Sequence, residues 1–172
     1  MIVAVLCTGE SLTQADVDYC RGKCKVVAVS DAIFMAPWAD AMVSFDKAWW
    51  IAHPEVDYQG PKYMGHPEKV RGLDVDIYKL HGGNSGTLGL AIAFNVLKAS
   101  RVLLLGADLK GTHFFGPHQR GLRNTQKHQF LQMKKQFACF KKYDVVNCSP
   151  DSALECFRFG RLRHELQVLQ PA

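Results

Sequence analysis

The stretch Ser85-Gly-Thr-Leu-Gly-Leu-Ala-Ile-Ala-Phe-Asn-Val-Leu-Lys-Ala-Ser-Arg-Val-Leu-Leu-Leu-Gly-Ala-Asp108 decides the fold of this chain. Its first part, residues 85–99, is apolar almost all round, which is typical of a helix buried against a sheet. Its second part, Arg101–Gly106, is an unbroken apolar run of the kind that forms a central strand in a parallel sheet. A buried helix that leads directly into a buried strand predicts an α/β protein.

The same alternation of strands and helices extends in both directions from this stretch. The other predicted strands are Ile2–Leu6, Val26–Val29, Ala41–Phe45 and Val145–Val146, with short strands near Lys62–Met64 and Ile77–Leu80. The other predicted helices run from a cap at Thr13 to about Gly22 and from about Arg123 to Tyr143. Together these elements predict one Rossmann-like domain over residues 1–172, built as a doubly wound, mostly parallel sheet with helices on both faces. Residues 53–83, which are rich in proline and glycine, are expected to form an irregular insertion over the site.

Composition sets the broad class of the protein. The chain has 172 residues, of which 48% are hydrophobic and 22% charged, so we expect a single globular domain. No apolar run reaches the roughly 18–20 residues of a membrane span, and the first residues lack the features of a signal peptide. Cys20 and Cys24 have the spacing of metal ligands, but no second close pair completes a zinc site. We therefore expect six reduced structural cysteines and a cytoplasmic protein.

Charge is distributed unevenly along the chain. Residues 1–109 contain 10 Lys and Arg and 12 Asp and Glu, whereas residues 110–172 contain 11 and 4, which gives net charges of −2 and +7. The basic part is either a solvated helix face with a basic tail or a surface that attracts the phosphates of a nucleotide or a nucleic acid. Charge alone does not separate these interpretations.

Two turns are candidate phosphate sites. Thr8-Gly9-Glu10-Ser11 follows the first strand, where glycine lets the backbone approach a phosphate, although an ordinary tight turn explains it equally well. Asn84-Ser85-Gly86 follows a Gly-Gly pair and precedes the buried helix. Asn84 or Ser85 can cap that helix, and the same hydroxyl and N–H groups can bind an anion. We favour anion binding, because a helix cap does not require the preceding glycines.

Three acids and two histidines are candidates for chemistry at the same rim. Asp31, Asp46 and Asp108 each follow a predicted strand, and strand ends are where open parallel sheets bind ligands. His113 and His118 lie in the next loop and can act as general acid or base, since histidine titrates near neutral pH. Each of these residues can also be an ordinary turn or loop residue. The two histidines have no evident third ligand for a metal, so no metal site is predicted. Either Trp49 or Trp50 can stack on a base or sugar, but both are expected to be core or lid aromatics.

These motifs, taken together, resemble a family of small phage and prophage proteins of uncertain function. The resemblance rests on Thr8-Gly9-Glu10-Ser11-Leu12, Asn84-Ser85-Gly86, Gly106-Ala-Asp108 and the loop from His113 to His118, and it spans nearly the whole chain. That family looks like a reduced form of the bacterial sialyltransferase fold and of the related domain in archaeal pterin diphosphokinases. The chain departs from the usual Gly-x-Gly-Pro-Ser-Leu turn at Cys7 and Glu10. It also has Ser30 where asparagine is common after the second strand.

The resemblance implies a nucleotide between the first turn and the Asn-Ser-Gly turn, with a late-loop histidine that deprotonates an acceptor hydroxyl. The implied catalytic residues are His118, then His113, and the strand-end Asp108 is the third catalytic candidate. The implied nucleotide-binding residues are Thr8, Gly9, Ser11, Ser30, Asn84, Ser85 and Gly86, and the strand-end acids Asp31 and Asp46 are further candidates for nucleotide binding. The resemblance implies no metal and no tightly bound cofactor.

Three functions remain open at this point. The first is a phage-encoded, sialyltransferase-like glycosyltransferase that uses a nucleotide-sugar donor, with a nucleic acid bound through the basic C-terminal part as a further expected partner. The second is a diphosphokinase-like enzyme that moves pyrophosphate from a nucleoside triphosphate with Mg²⁺. The third is a non-catalytic module that binds a nucleotide or a partner protein. A host cytoplasmic location is expected for each of them.

Overall fold

Eight parallel strands form one sheet in a computed structural model that describes residues 1–167. The strands are β1 (Ile2–Leu6), β2 (Lys25–Val29), β3 (Ala41–Ser44), β4 (Lys62–Met64), β5 (Asp76–Ile77), β6 (Arg101–Leu105), β7 (Val145–Asn147) and β8 (Arg158–Phe159). The helices are α1 (Gln14–Cys20), α2 (Lys47–Ala52), α3 (Ser85–Asn95), α4 (Lys127–Ala138) and α5 (Leu162–Gln167), and a 3₁₀ helix covers Ser30–Phe34. The predicted α/β fold is confirmed.

The strand order places one crevice at the centre of the sheet. The order is β5-β4-β3-β2-β1-β6-β7-β8, so the chain first builds outward from β1 in one direction and then returns to β1's other side with β6. The β1–β6 pair aligns Ile2 with Arg101 and Leu6 with Leu105. Because the connections diverge at this pair, the loops beyond its carboxyl ends separate and leave room for a ligand.

Alternate residues of each strand pack into two hydrophobic layers, one on each face of the sheet. Ala4 and Leu6 of β1 belong to the layer that also contains residues of α1, α2 and α5. Val3 and Val5 of the same strand belong to the layer that contains α3 and Phe137 of α4. Helices therefore cover both faces, as the apolar runs of the central strands predict.

Local interactions explain where two helices begin. Thr13 is extended and its side chain accepts a hydrogen bond from the backbone N–H of Asp16 at 3.2 Å, so the predicted cap of α1 is confirmed. Asn84 caps α3 in the same way, with the Thr87 N–H 3.1 Å from its Oδ1 atom. These bonds satisfy N–H groups that have no partner within the helix.

The structure corrects several predicted boundaries. The helix predicted for residues 85–99 ends at Asn95, because Lys98 adopts φ +59 and turns the chain toward β6. The helix predicted from Arg123 to Tyr143 covers only Lys127–Ala138. Its early residues instead belong to the loop that follows β6, where Gln126 donates its N–H to Gln129 Oε1 at 2.6 Å.

Both ends of the sheet also differ from the prediction. The strand predicted for Ile77–Leu80 is the two-residue β5, Asp76–Ile77, and the segment 53–83 contributes β4 and β5 to the sheet edge. At the other edge, β8 and α5 follow β7, which had been predicted as the last strand. Strands of two residues carry no readable periodicity, so sequence patterns do not reveal them. Within residues 1–167, no helix has the length and apolar character to cross a bilayer.

Candidate functional site

A cleft of about 800 Å³ opens beyond the carboxyl ends of the central strands. That volume is typical of sites for small organic ligands. Ten residues predicted for the site line the cleft: Thr8, Gly9, Ser30, Asp46, Asn84, Ser85, Gly86, Asp108, His113 and His118. Ser11 and Asp31, which had also been predicted for the site, do not line it. The tertiary structure thus gathers residues separated by up to about 110 positions at one rim of the sheet.

Hydrogen bonds join the first turn, Thr8-Gly9-Glu10-Ser11, to the residues that follow β6. Gly9 donates its N–H to Gly106 O at 2.8 Å, and a side chain at position 9 would lie 2.5 Å from that oxygen. Asp108 accepts hydrogen bonds from Ser11, from the backbone N–H at 2.8 Å and from the hydroxyl. Asp108 is only 5% exposed. The Asp108 carboxylate therefore holds the two loops together, and Ser11 faces this contact rather than the cleft.

The Asn84-Ser85-Gly86 turn is a helix cap whose side chains are already engaged. The Asn84 amide donates to Gln136 Oε1 at 2.7 Å in addition to capping α3. The Ser85 hydroxyl accepts the N–H of Phe45 at 2.9 Å. The backbone N–H groups of Ser85 and Gly86 donate to no other described residue. An anion at this turn would consequently bind to backbone N–H groups at the positive end of α3.

The two histidines form a compact aromatic cluster above the first turn. Their ring centroids are 4.2 Å apart, and the His113 ring stacks on Phe115 with centroids 4.9 Å apart. The Nδ1 atom of His113 lies 2.8 Å from the Thr8 hydroxyl, which orients that ring. The ring nitrogens of His118 make no hydrogen bond with residues 1–167, while its backbone N–H donates to Asn124. His118 is the imidazole available to a ligand.

Burial favours the neutral form of both histidine side chains in the resting site. Desolvation lowers the pKa of His118 below its ordinary value of 6.5, an effect that Asp31 and Asp46 partly oppose and His53 reinforces. Desolvation and then the neighbouring His118 lower the pKa of His113. Since both pKa values fall below 6.5, the neutral form of each ring predominates at pH 7. A neutral imidazole can accept a proton from a bound hydroxyl group.

Asp31 supports the wall of the cleft. Its carboxylate accepts a hydrogen bond from Trp49 Nε1 at 2.8 Å and lies 3.6 Å from His53 Nε2. Trp49 is 3% exposed and stacks on His53, with ring centroids 4.4 Å apart. Trp50 is buried as well and donates to Ser44 O. Both tryptophans are thus core aromatics, although one edge of Trp49 reaches the cleft.

The second and third strands end in a pair of hydroxyl groups on the cleft floor. Ser30 has φ +49, a conformation that side-chain-bearing residues rarely adopt. Its hydroxyl lies 3.0 Å from that of Ser44, and both serines line the cleft. Asp46 lies nearby at the rim, where desolvation raises the pKa of its carboxyl group and His66 and His118 oppose that rise.

Several cleft residues were missed by sequence reasoning. Lys110 and Arg123 bring positive charge to the cleft, and neither forms an ion pair with a described residue. Gln132 and Gln136 of α4 add amide groups to the wall. The apolar periodicity of α4 identifies its buried face, but it does not indicate that adjacent polar residues line the cleft. Ser44 carried no signal, because a lone serine at a strand end resembles any turn residue.

Cys7 lies on the cleft floor as a free thiol. Burial, and secondarily Asp108, raises its pKa to about 12, so its sulfur stays protonated at neutral pH and is a weak nucleophile. Among residues 1–167, no three His, Cys, Asp or Glu side chains are grouped so that they could hold a metal ion together.

Comparisons with protein-family models, with curated proteins and with solved structures give no match to this chain.

Proposed function

We propose that this protein is a nucleotide-binding transferase of the glycosyltransferase type, with His118 as its general base. The observation that supports this proposal most directly is the His118 ring, which makes no hydrogen bond with residues 1–167 and lies in a cleft of about 800 Å³ at the point where the strand order reverses. Ligands of open α/β proteins bind at this point. The resemblance to the sialyltransferase-like family favours a nucleotide sugar as the donor.

The polar groups of the cleft suit a nucleotide with an attached sugar. The N–H groups of Ser85 and Gly86, which donate to no described residue, would attract the phosphate together with Lys110 and Arg123. The hydroxyl groups on the cleft floor and the amides of α4 would hydrogen-bond the sugar rings or the base. Asp108 would act indirectly, because its carboxylate already holds the first turn through Ser11.

The proposed reaction uses His118 as a proton acceptor. The acceptor hydroxyl attacks the anomeric carbon of the donor sugar as its proton passes to an imidazole nitrogen of His118. The bond between that carbon and the phosphate oxygen breaks, and the nucleotide leaves with the electron pair. His113 would position His118 through their ring contact, and Thr8 would orient His113 in turn. A positioned base of this kind contributes roughly 10²–10⁴-fold to the rate.

Binding is tested by thermal denaturation with cytidine, uridine, guanosine and adenosine nucleotides, each with and without Mg²⁺. A ligand that binds only the folded protein adds about 2.7 kcal/mol to the free energy of unfolding when its concentration is a hundredfold above its Kd. We expect one nucleotide family to raise Tm without Mg²⁺. If no nucleotide raises Tm, the proposal fails. A rise that requires Mg²⁺ and a triphosphate would instead favour pyrophosphate transfer.

Turnover is tested by mass spectrometry of nucleotide sugars, with water or added glycans as acceptors. His118→Ala should lower the release of nucleotide at least about 100-fold while leaving the nucleotide-dependent rise in Tm nearly unchanged. His128→Ala is the matched control, since His128 is exposed on α4 and does not line the cleft. Unchanged release by His118→Ala would reject its role as base. Binding without release by the wild type would identify a non-catalytic module.

The pH dependence gives a second readout of the same role. Because the base must be neutral, the rate should fall as pH drops through the pKa of His118. The lowered pKa places the midpoint of that fall below 6.5, the ordinary value. A rate that instead rises as pH falls from 7 to 6 would show that an acid, not a neutral imidazole, limits the reaction.

A further inference from the structure

A second groove, of about 900 Å³, lies at the amino ends of the strands, opposite the cleft. It is formed where β1 and β2 begin and where α1 ends. Its basic and aromatic lining residues are Arg21, Lys23, Lys25 and Trp38. The three cations fall within residues 21–25, although residues 1–109 as a whole have a net charge of −2.

Among the described residues, the groove carries more positive than negative charge. Asp40 is the sole carboxylate among the lining residues, and its oxygens are taken by Lys25 Nζ at 2.6 Å and by the Val26 N–H at 2.8 Å. Arg21 and Lys23 form no ion pair with any described residue. A concentration of like charges in a concave surface attracts polyanions.

Aromatic rings are interleaved with these cations. The Arg21 guanidinium lies 5.5 Å from the ring centroid of Trp38. Lys23 Nζ and the Arg163 guanidinium each lie 4.3 Å from the centroid of Tyr19, so Arg163 of the C-terminal part extends the basic surface. Cation–π contacts explain how the cations are held in place. They do not neutralise the charge, and the basic groups remain exposed to solvent.

We propose that this groove binds single-stranded nucleic acid. Single strands are bound by positively charged grooves that follow the phosphates and by aromatic side chains that stack on the bases. An acidic protein would match the charge equally well, but the half-buried Trp38 ring lines the groove beside the cations, where a base can stack on it. The position opposite the cleft means that a polymer can bind here without entering the nucleotide site, and this inference does not depend on the proposed reaction.

The test measures fluorescence anisotropy of a labelled oligothymidine of about 12 nucleotides over a range of salt concentrations. Affinity for single strands falls with log salt at a slope of about −0.7 per phosphate neutralised. We expect a slope of about −2 to −3 for the wild type. The double variant Arg21→Glu/Lys23→Glu should bind at least about 10-fold more weakly and lose about 1.4 from the magnitude of the slope. Far-UV circular dichroism verifies that both proteins are folded.

The matched control is Lys135→Glu/Lys141→Glu. It changes the net charge by the same amount at two exposed positions in and after α4, and neither side chain has a hydrogen-bond partner among the described residues. We expect less than about a twofold change in affinity. If this control weakens binding as much as the groove variant does, or if the wild type fails to bind at low salt, the proposal is wrong.

Tryptophan fluorescence reports on the groove itself. Trp49 and Trp50 are 3% and 1% exposed, whereas Trp38 is half-buried in the groove. Unlabelled oligothymidine should quench the emission of the wild type, and Trp38→Phe should remove most of that quenching. Persistence of the full quenching in Trp38→Phe would place the strand elsewhere. Poly-glutamate serves as the competitor. If it binds as tightly as oligothymidine and displaces it from the groove, the partner is an acidic protein and not a nucleic acid.

Discussion

At the scale of single residues, the Asp108 carboxylate stabilises the structure of the site. Asp108 is 5% exposed and accepts two hydrogen bonds from Ser11, which lies 97 positions earlier. The contact closes the gap between the loops that follow β1 and β6. A side chain at Gly9 would approach Asp108 Oδ2 to 2.6 Å, so the close fit of the turn and the carboxylate requires glycine there.

We therefore predict that Asp108→Ala destabilises the protein by about 2–4 kcal/mol, because hydrogen bonds to a charged group contribute about 1.5–3 kcal/mol each. Urea denaturation measures the change. Asp74→Ala, at an exposed acid without a hydrogen-bond partner among residues 1–167, should change stability by less than about 0.5 kcal/mol. A stable Asp108→Ala protein that binds nucleotide but lacks turnover would show that this carboxylate takes part in chemistry instead.

At the scale of elements, α5 is attached to the sheet by one buried carboxylate. Glu165 accepts two hydrogen bonds from Arg158 of β8, at 2.7 and 2.9 Å, and one from Arg101 of β6 at 3.3 Å. Arg101 also binds Asp144, which precedes β7. Residues at or beside three neighbouring strands are thus connected to a helix of only six residues. Such a short helix needs tertiary contacts to persist.

Glu165→Gln should destabilise the protein by about 1.5–3 kcal/mol, below the value for a fully buried pair because both arginines are partly exposed. Arg158, followed by Arg101, holds the pKa of Glu165 below its usual value of 4.5. A lowered folded-state pKa stabilises the protein above about pH 4.5, and that stabilisation is lost as pH falls further. Urea denaturation should therefore show that the difference in free energy of unfolding between Glu165→Gln and the wild type shrinks below pH 4.5. The exposed Glu155→Gln is the control, and an equal loss there would contradict the prediction.

At the scale of the whole molecule, stability is concentrated in the middle of the sheet. The inner residues of β1, β2 and β6 are almost completely buried, and each of these strands is paired on both sides. The segment 53–83 and the loop between β6 and α4 are mostly half-buried or exposed. The polar residues of the cleft are supplied mainly by loops, while the rigid strands set where those loops begin.

Amide hydrogen exchange should follow this division. We expect the slowest exchange in β1, β2 and β6, because opening them exposes both hydrophobic layers, and much faster exchange in residues 66–74 and 110–125. A nucleotide that raises Tm should slow exchange in residues 110–125 and at the start of α3, while β8 remains unchanged. Protection confined to α1 and β2 would indicate that the nucleotide occupies the opposite groove.

The sequence by itself determined the α/β class, the order of the central elements and the cap at Thr13. Each of these follows from local causes: an apolar run long enough to be buried on both faces, and a hydroxyl next to an N–H group that needs a partner. The same patterns predicted which loops reach the rim, since parallel strands all end at one edge. Two-residue strands such as β5 and β8 lie below the length at which periodicity can be read.

Only the tertiary structure decided what each site residue does. Ser11 and Asp108 both resemble free site residues in the sequence, but in the fold they satisfy each other. His118 and His113 are alike in sequence, yet the Thr8 hydroxyl contacts the His113 ring, whereas the His118 ring makes no hydrogen bond with residues 1–167. The cations of the groove lie close together in residues 21–25, but only the fold places Trp38 beside them and Arg163 over Tyr19. Hydrogen bonding and charge depend on distances across the fold, which local sequence patterns do not encode.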